Sequence, residues 1–116
     1  MLSTLESLFK LARDRKNNPV SGSYTNKLLS DKSLSKDKVL EEINELIEAV
    51  ENNTNKIHEA ADVFYHLIMY LEANNVKIED VMNELEKRRK WVTTITIYLL
   101  KFSEVKYHVK KFMKMN

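Results

Sequence analysis

KVLEEINELIEAVENNTNKIHEAADVFYH, residues 38–66, decides how the rest of the chain is read. Two runs with apolar residues at helical spacing flank a polar break at Asn52, Asn53 and Thr54, and each run carries two acids three residues apart: Glu42 with Glu45, then Glu59 with Asp62. Residues three apart share a helix face, so each pair aims two carboxylates at one point. The break is short, which makes the helices antiparallel neighbours and brings four carboxylates together. Clustered anions repel unless a cation sits among them, and an all-oxygen donor set of this kind suits Mg²⁺.

A helical wheel puts Val39, Leu40, Ile43, Leu46, Ile47 and Val50 on one apolar stripe, with Glu42 at its rim, Lys38, Glu45 and Ala49 along the same edge, and Glu41 and Glu48 further out. On the second helix Ile57, Ala60, Phe64, Leu67 and Leu71 form the stripe, and Glu59, Asp62 and His66 line its edge. The acids thus border the expected buried seam, where a groove between helices forms. His66 is placed to bond a carboxylate or a substrate. Zinc is disfavoured, because neither H-E-x-x-H nor a second histidine at ligand spacing accompanies it on that face.

The 116 residues are 43% hydrophobic and 31% charged, with one Gly, one Pro and no Cys. That composition fits a single globular domain of all-α class and excludes disulfides, a thiol nucleophile and cysteine-ligated zinc. No signal peptide and no apolar run of membrane-spanning length is visible, so a cytoplasmic protein is expected. The net charge of +2 is uneven: residues 91–116 hold five lysines against one glutamate, which leaves residues 1–90 at −2. The body has no basic stripe of the kind that binds nucleic acid.

The spacing predicts a helix over 3–15, opened by a Ser3/Glu6 capping box, then a loop at 16–23 that holds the only Gly and the only Pro. Ser23 caps a short helix from Tyr24, and the small polar residues around it make a possible phosphate approach. Ser35 is the expected cap of a helix over 36–52, followed by helices over 55–74 and 78–90. The fifth ends in Lys87, Arg88, Arg89 and Lys90, either charge placed well at a helix C-terminus or a clamp for phosphates.

Together these segments resemble the phosphoribosyl-ATP pyrophosphohydrolase family of histidine biosynthesis, within the MazG-type all-α nucleotide pyrophosphohydrolases. SGSYTNKLL at 21–29 is similar to the family's G-S-Y-T-x-K-L, KVLEEINE at 38–45 to its K-V-G-E-E-x-x-E, HEAADVFYHL at 58–67 to its E-x-A-D-x-x-Y-H-L, and ELEKRR at 84–89 to its closing E-L-x-x-R-R. The resemblance implies a four- to five-helix bundle completed by homodimerisation, and a Mg²⁺ site made by Glu42, Glu45, Glu59 and Asp62. It implies hydrolysis of 1-(5-phosphoribosyl)-ATP to 1-(5-phosphoribosyl)-AMP and pyrophosphate, with Glu42, Glu45 or Glu41 as catalytic acids. Lys38, His66, Arg88 and Arg89 would hold substrate, with Ser23, Tyr24, Thr25 and Lys27 as a second contact zone. The alternatives are a MazG-like house-cleaning hydrolase of nucleoside triphosphates and a non-catalytic helical dimerisation module.

Two positions depart from the family pattern: Leu40 stands for the glycine of K-V-G-E-E, and Lys77 for a capping Ser or Thr. The larger departure is the extension, which divides the chain into a family-like domain at 1–90 and a basic tail at 91–116. In the tail a β-branched stretch able to extend precedes an amphipathic helix carrying Tyr98, Phe102, Val105, Val109 and Phe112. That helix is expected to dock on the body or the dimer, or to be a poorly ordered extension; a membrane-surface or partner-binding helix is the lesser alternative.

Overall fold

The computed structural model describes residues 2–99, 113 and 114. Every element it describes through Leu99 is helical: α1 (Leu2–Asn17), α2 (Tyr24–Ser30), α3 (Lys32–Asn52), α4 (Lys56–Ala73) and α5 (Ile78–Leu99). The chain divides into two compact units, residues 1–78 and 79–116.

In the first unit the core is built from α1, α2 and α4. Ala12, Leu28, Leu29, Ile68 and Met69 are buried together, with Leu5, Leu8, Phe9, Leu34 and Tyr65 packed against them. The α1 C-terminus is tied to the end of α4: Arg13 pairs with Glu72 at 3.4 Å, and the Lys16 ammonium donates to the Glu72 carbonyl at 2.7 Å and to Asn75.

Helix ends follow local chemistry. Ser23 caps α2 as expected, accepting from the Asn26 N–H at 3.3 Å. The cap of α3 is Asp31 rather than Ser35: its carboxylate accepts from Leu34 N at 3.0 Å, so the helix starts four residues earlier than expected. Ser35 lies inside the helix and is buried. Similarly, α1 is already helical at Leu2, so Ser3 does not open it. Asn53 ends α3 in the left-handed region (φ 54°), and Asn55 (φ 43°) leads into α4; asparagine tolerates this conformation better than most residues with a side chain. The three-residue link makes α3 and α4 an antiparallel hairpin.

The packed face of that hairpin differs from the expected one. On α3 the buried positions are Ser35, Glu42 and Ala49, spaced by seven, with Val39 and Leu46 half-buried between them. Leu40, Ile43, Ile47 and Val50 face outward, at 37–55% exposure. On α4, Ile57, Phe64 and Leu67 are exposed, while His66, Ile68, Met69 and Ala73 are buried. The acids therefore occupy the intrachain seam, and most of the expected core stripe lies on the surface of the chain. The apolar wheel found an apolar face, but one that lies exposed on the chain instead of in its core.

In the second unit α5 continues past the expected end at residue 90 and carries the β-branched stretch as helix. Thr93 accommodates this by donating its hydroxyl to the Arg89 carbonyl at 2.9 Å, one turn back. The expected amphipathic tail helix lies outside the described residues beyond Leu99. Among the described residues, no helix is long and apolar enough to cross a membrane.

Candidate metal centre and active site

Across the α3–α4 seam, Glu42, Glu45 and Glu59 each bring a carboxylate oxygen within 4.8 Å of the other two. Glu59 belongs also to a second group at the same spacing, with His58 and Asp62. The four acids singled out by sequence thus fall into two groups that share Glu59, with Asp62 in the second. Glu42 is 9% exposed, and one oxygen on Glu42 and one on Glu59 are shut off from solvent without a hydrogen-bond partner. Unpartnered buried anions are costly. The cost shows in their titration: loss of hydration, and next the Glu45 charge, push the Glu42 carboxyl above the usual range. Glu59 is raised in the same way, first by desolvation, then by Glu45 and Asp62. A hard divalent cation relieves both, taking carboxylate oxygens as ligands in place of water, so the residues present fit such an ion.

Beside the acids, the start of α2 is fastened to α4. The His66 Nδ1 lies 2.8 Å from the Asp62 carbonyl, which can only accept, so Nδ1 carries the proton. In the neutral ring Nε2 is then an acceptor, and the Tyr24 hydroxyl donates to it at 3.0 Å. One residue along, Thr25 and Tyr65 share a hydroxyl–hydroxyl bond of 2.5 Å, and the Tyr24 and Tyr65 rings stack with centroids 6.5 Å apart. Tyr24 is close enough to Lys38, Glu41 and Glu42 for their charges to act on its hydroxyl, whose pKa is raised chiefly by burial. Ser23, Tyr24 and Thr25 are thus held beside the acidic seam. His66 is buried and both its ring nitrogens are engaged within the protein.

The other expected site residues are placed differently. Glu41 is exposed and paired with Lys38 at 3.1 Å, a contact that raises the lysine pKa. Lys27 lines an open cavity of about 490 Å³ beneath the loop at 19–23, with Lys16, Ser21 and Gly22. Arg88 and Arg89 belong to the second unit, where they pair along α5 with Glu84 (3.2 Å) and Glu86 (2.5 Å).

Residues 3–89 match the family described as phosphoribosyl-ATP pyrophosphohydrolase. The chain belongs to this family. A phosphoribosyl-ATP pyrophosphatase of Clostridium acetobutylicum is 45% identical over 89 residues, covering 72% of this chain and 79% of its own. One from Methanococcoides burtonii is 41% identical over 93 residues, covering 76% and 94%. The histidine biosynthesis bifunctional protein HisIE of Caldanaerobacter subterraneus subsp. tengcongensis is 39% identical over 94 residues, which is 77% of this chain and 45% of that longer protein. No solved structure matches the chain significantly. Membership in the phosphoribosyl-ATP pyrophosphohydrolase family makes the chain a hydrolase with a small-molecule substrate, and it agrees with the all-α fold. The family match spans every expected site residue and ends at Arg89, leaving the last part of α5 beyond it.

The structure draws in three residues that the sequence does not assign to the site, where His58 reads as an ordinary packed or surface histidine. His58 joins the acidic cluster, and its i, i+4 spacing to Asp62 was the available signal. Tyr65 anchors Thr25, and Arg15 donates to Ser23 Oγ at 3.3 Å. Those partners lie 40 and 8 residues away, beyond any local pattern.

Proposed function

We propose that this chain hydrolyses 1-(5-phosphoribosyl)-ATP to 1-(5-phosphoribosyl)-AMP and pyrophosphate, the second step of histidine biosynthesis, as a cytoplasmic, Mg²⁺-dependent homodimer. The observation that carries the reading is the convergence of Glu42, Glu45, Glu59 and Asp62 on one seam, two of them with buried unpartnered oxygens, within the span of the family match.

In this reading Glu42, Glu45, Glu59 and Asp62 hold the ion. When bound, Mg²⁺ supplies neutralisation of the triphosphate charge and a water of lowered pKa. Water attacks the α–β phosphoanhydride link: its oxygen forms the new bond to phosphorus, the bridging bond breaks, and pyrophosphate leaves. Glu42, Glu45 or Glu41 accepts the proton; of the three, Glu41, exposed and paired with Lys38 at 3.1 Å, stands outside the proposed metal set. Lys38, Arg88 and Arg89 bind phosphate oxygens; the arginines suit this because a guanidinium offers two parallel N–H donors. Ser23, Tyr24, Thr25 and Lys27 meet the remainder of the substrate, and His66 acts through Tyr24 by fixing where that hydroxyl sits.

Homodimerisation is supported by the outward faces of α3 and α4. Leu40, Ile47, Val50, Ile57 and Phe64 are all at least half exposed, and spacings of seven within each helix, as between Leu40 and Ile47 or Ile57 and Phe64, suit a helix-to-helix seam. A second copy offers the same stripe in return.

Pyrophosphate release, measured with Mg²⁺ on phosphoribosyl-ATP beside a panel of deoxynucleoside triphosphates, tests the reading. Turnover of phosphoribosyl-ATP alone is expected. Comparable turnover of the deoxynucleotides would favour the house-cleaning hydrolase, and no turnover of any substrate would leave the dimerisation module.

A further inference from the structure

Asn26 occupies the open position of the G-S-Y-T-x-K-L pattern, yet it holds the loop between α1 and α2 from three sides. Its side-chain carbonyl accepts from the Val20 N–H at 2.8 Å, and its amide nitrogen donates to the Arg15 carbonyl at 2.6 Å. A backbone N–H only donates and a backbone carbonyl only accepts, so both partners fix the same orientation of the amide. Its own N–H donates to Ser23 Oγ at 3.3 Å. One residue thus ties the end of α1, the middle of the loop and the residue that opens α2. The turn it encloses is closed by Ser23 N donating to the Val20 carbonyl at 3.2 Å, with Gly22 (φ 78°) taking the left-handed step.

Ser23 is where this strap meets the expected substrate zone. A hydroxyl has two acceptor positions and one proton to donate. The Asn26 N–H takes one acceptor position, and the Arg15 guanidinium, also at 3.3 Å, takes the other. What Ser23 has left to offer is its O–H, which no acceptor takes among the described residues. Arg15, Ser23 and Asn26 are each half-buried, so neighbouring protein restrains all three. An O–H committed in this way is a donor toward an oxygen acceptor, and phosphoribosyl-ATP is rich in them.

We propose that Arg15 and Asn26 are positioning residues for the phosphoribosyl-ATP reaction: both act through Ser23, aligning its hydroxyl as a hydrogen-bond donor to a substrate oxygen. The proposal rests on the reading of Ser23 as a substrate contact. Neither residue belongs to the acidic groups of the α3–α4 seam, so their share is in holding substrate and not in cleaving the anhydride.

The test is steady-state kinetics of the full chain on phosphoribosyl-ATP at saturating Mg²⁺. The variants are Ser23→Ala, Arg15→Met, Asn26→Ala, and the two doubles that combine Ser23→Ala with each of the others. Methionine keeps an unbranched stem and leaves the carbonyl that Asn26 binds. Each single variant should raise KM about 10-fold, the worth of one hydrogen bond to a charged group, with kcat within about twofold. Each double should be no worse than Ser23→Ala alone, because nothing is left to position. Effects that multiply in a double would show its Arg15 or Asn26 acting independently, as a direct contact or a support of the fold, and would overturn the proposal for that residue. An unchanged KM in a single variant would do the same. If Asn26→Ala melts too low to assay, the Arg15–Ser23 pair decides by the same criteria. Wild type that does not turn over phosphoribosyl-ATP would overturn the functional reading and the proposal together, whereas active wild type with unmoved variants strikes the proposal alone.

Discussion

Replacing Glu42 by glutamine should stabilise the metal-free protein and nearly abolish turnover. The carboxylate is 9% exposed and lies within 4.8 Å of oxygens on Glu45 and Glu59. At that separation two unit charges repel by ~3 kcal/mol for an effective dielectric of about 20. Water reaching the open side of the seam screens part of this, and the glutamine amide must still be solvated. A net gain on the order of 1 kcal/mol remains, equivalent to about 4 °C in a domain of this size. Glutamine keeps the shape, so packing against α4 is conserved.

The assay is a thermal melt in chelator and again in millimolar Mg²⁺. In chelator Glu42→Gln should melt higher than wild type. Mg²⁺ should raise the wild type and barely move the variant, whose phosphoribosyl-ATP turnover should fall by ~100-fold or more, corresponding to ~2.7 kcal/mol of barrier. A variant that melts lower than wild type in chelator would refute the reasoning, because it would show that Glu42 is held by favourable native contacts instead of repelled by its neighbours. The pH dependence follows from the same groups. Glu42 and Glu59 are raised above the ordinary value of 4.5, so the folded state binds more protons than the unfolded one between the two values. Metal-free stability must therefore fall as pH rises from about 4.5 through the raised range and level off above it. Urea midpoints across that window should show this slope in chelator, and the slope should flatten with saturating Mg²⁺.

Three further outcomes are expected. Tyr24→Phe leaves the buried His66 Nε2 without its donor, which should cost about 1–3 kcal/mol in urea unfolding and shift the His66 ring resonances. Ile47→Asp places a charge on the exposed stripe of α3; on the homodimer proposal, sedimentation at micromolar concentration should show a dimer for wild type and a monomer for the variant, with helicity by circular dichroism retained. Arg88→Ala with Arg89→Ala removes two exposed pairs worth little to stability, so the melting temperature should move by less than about 2 °C while KM for phosphoribosyl-ATP rises ~10-fold.

The chemistry of the seam was more legible in the sequence than its packing. Acid pairs three apart on two helices joined by a short polar turn leave little choice about where their side chains meet. Periodicity does not say which of two faces turns toward the rest of the same chain. On α3 the stripe through Leu40, Ile43, Ile47 and Val50 is the more apolar, and a wheel centres on it. The face that turns inward runs through Ser35, Glu42 and Ala49, whose small or charged side chains register weakly on such a wheel. Cap choice failed for a related reason: Asp31 and Ser35 are both good caps, and the outer one prevails because it adds a turn that sets Leu34 against the core. The β-branched stretch in α5 reads as strand by propensity, yet as a continuation of an established helix each further residue adds a hydrogen bond without a new nucleus. The pairs Tyr24–His66 and Thr25–Tyr65 join residues 40 or more apart, so no local pattern carries them.

That α3 turns its polar face inward has a consequence for stability as well as for chemistry. Its buried positions are a serine, a glutamate and an alanine, which contribute little apolar burial, and among the described residues Leu34 is the one it packs on the main core cluster. The seam itself is repulsive when no cation is present, as the raised carboxyls of Glu42 and Glu59 record. Beyond its packing along α4, two further sources of free energy can hold this 21-residue helix against the chain's entropy: a cation among the acids, and a cover over Leu40, Ile43, Ile47 and Val50. Each fully buried aliphatic side chain contributes about 1.5–3 kcal/mol, so covering that stripe supplies more than one added ion pair or hydrogen bond. On the homodimer proposal, the partner thus fixes the helix that presents Glu42 and Glu45, and ion affinity becomes linked to association. Dilution that separates the protomers should then weaken Mg²⁺ binding, and Ile47→Asp should do the same although it lies on the opposite face from the acids.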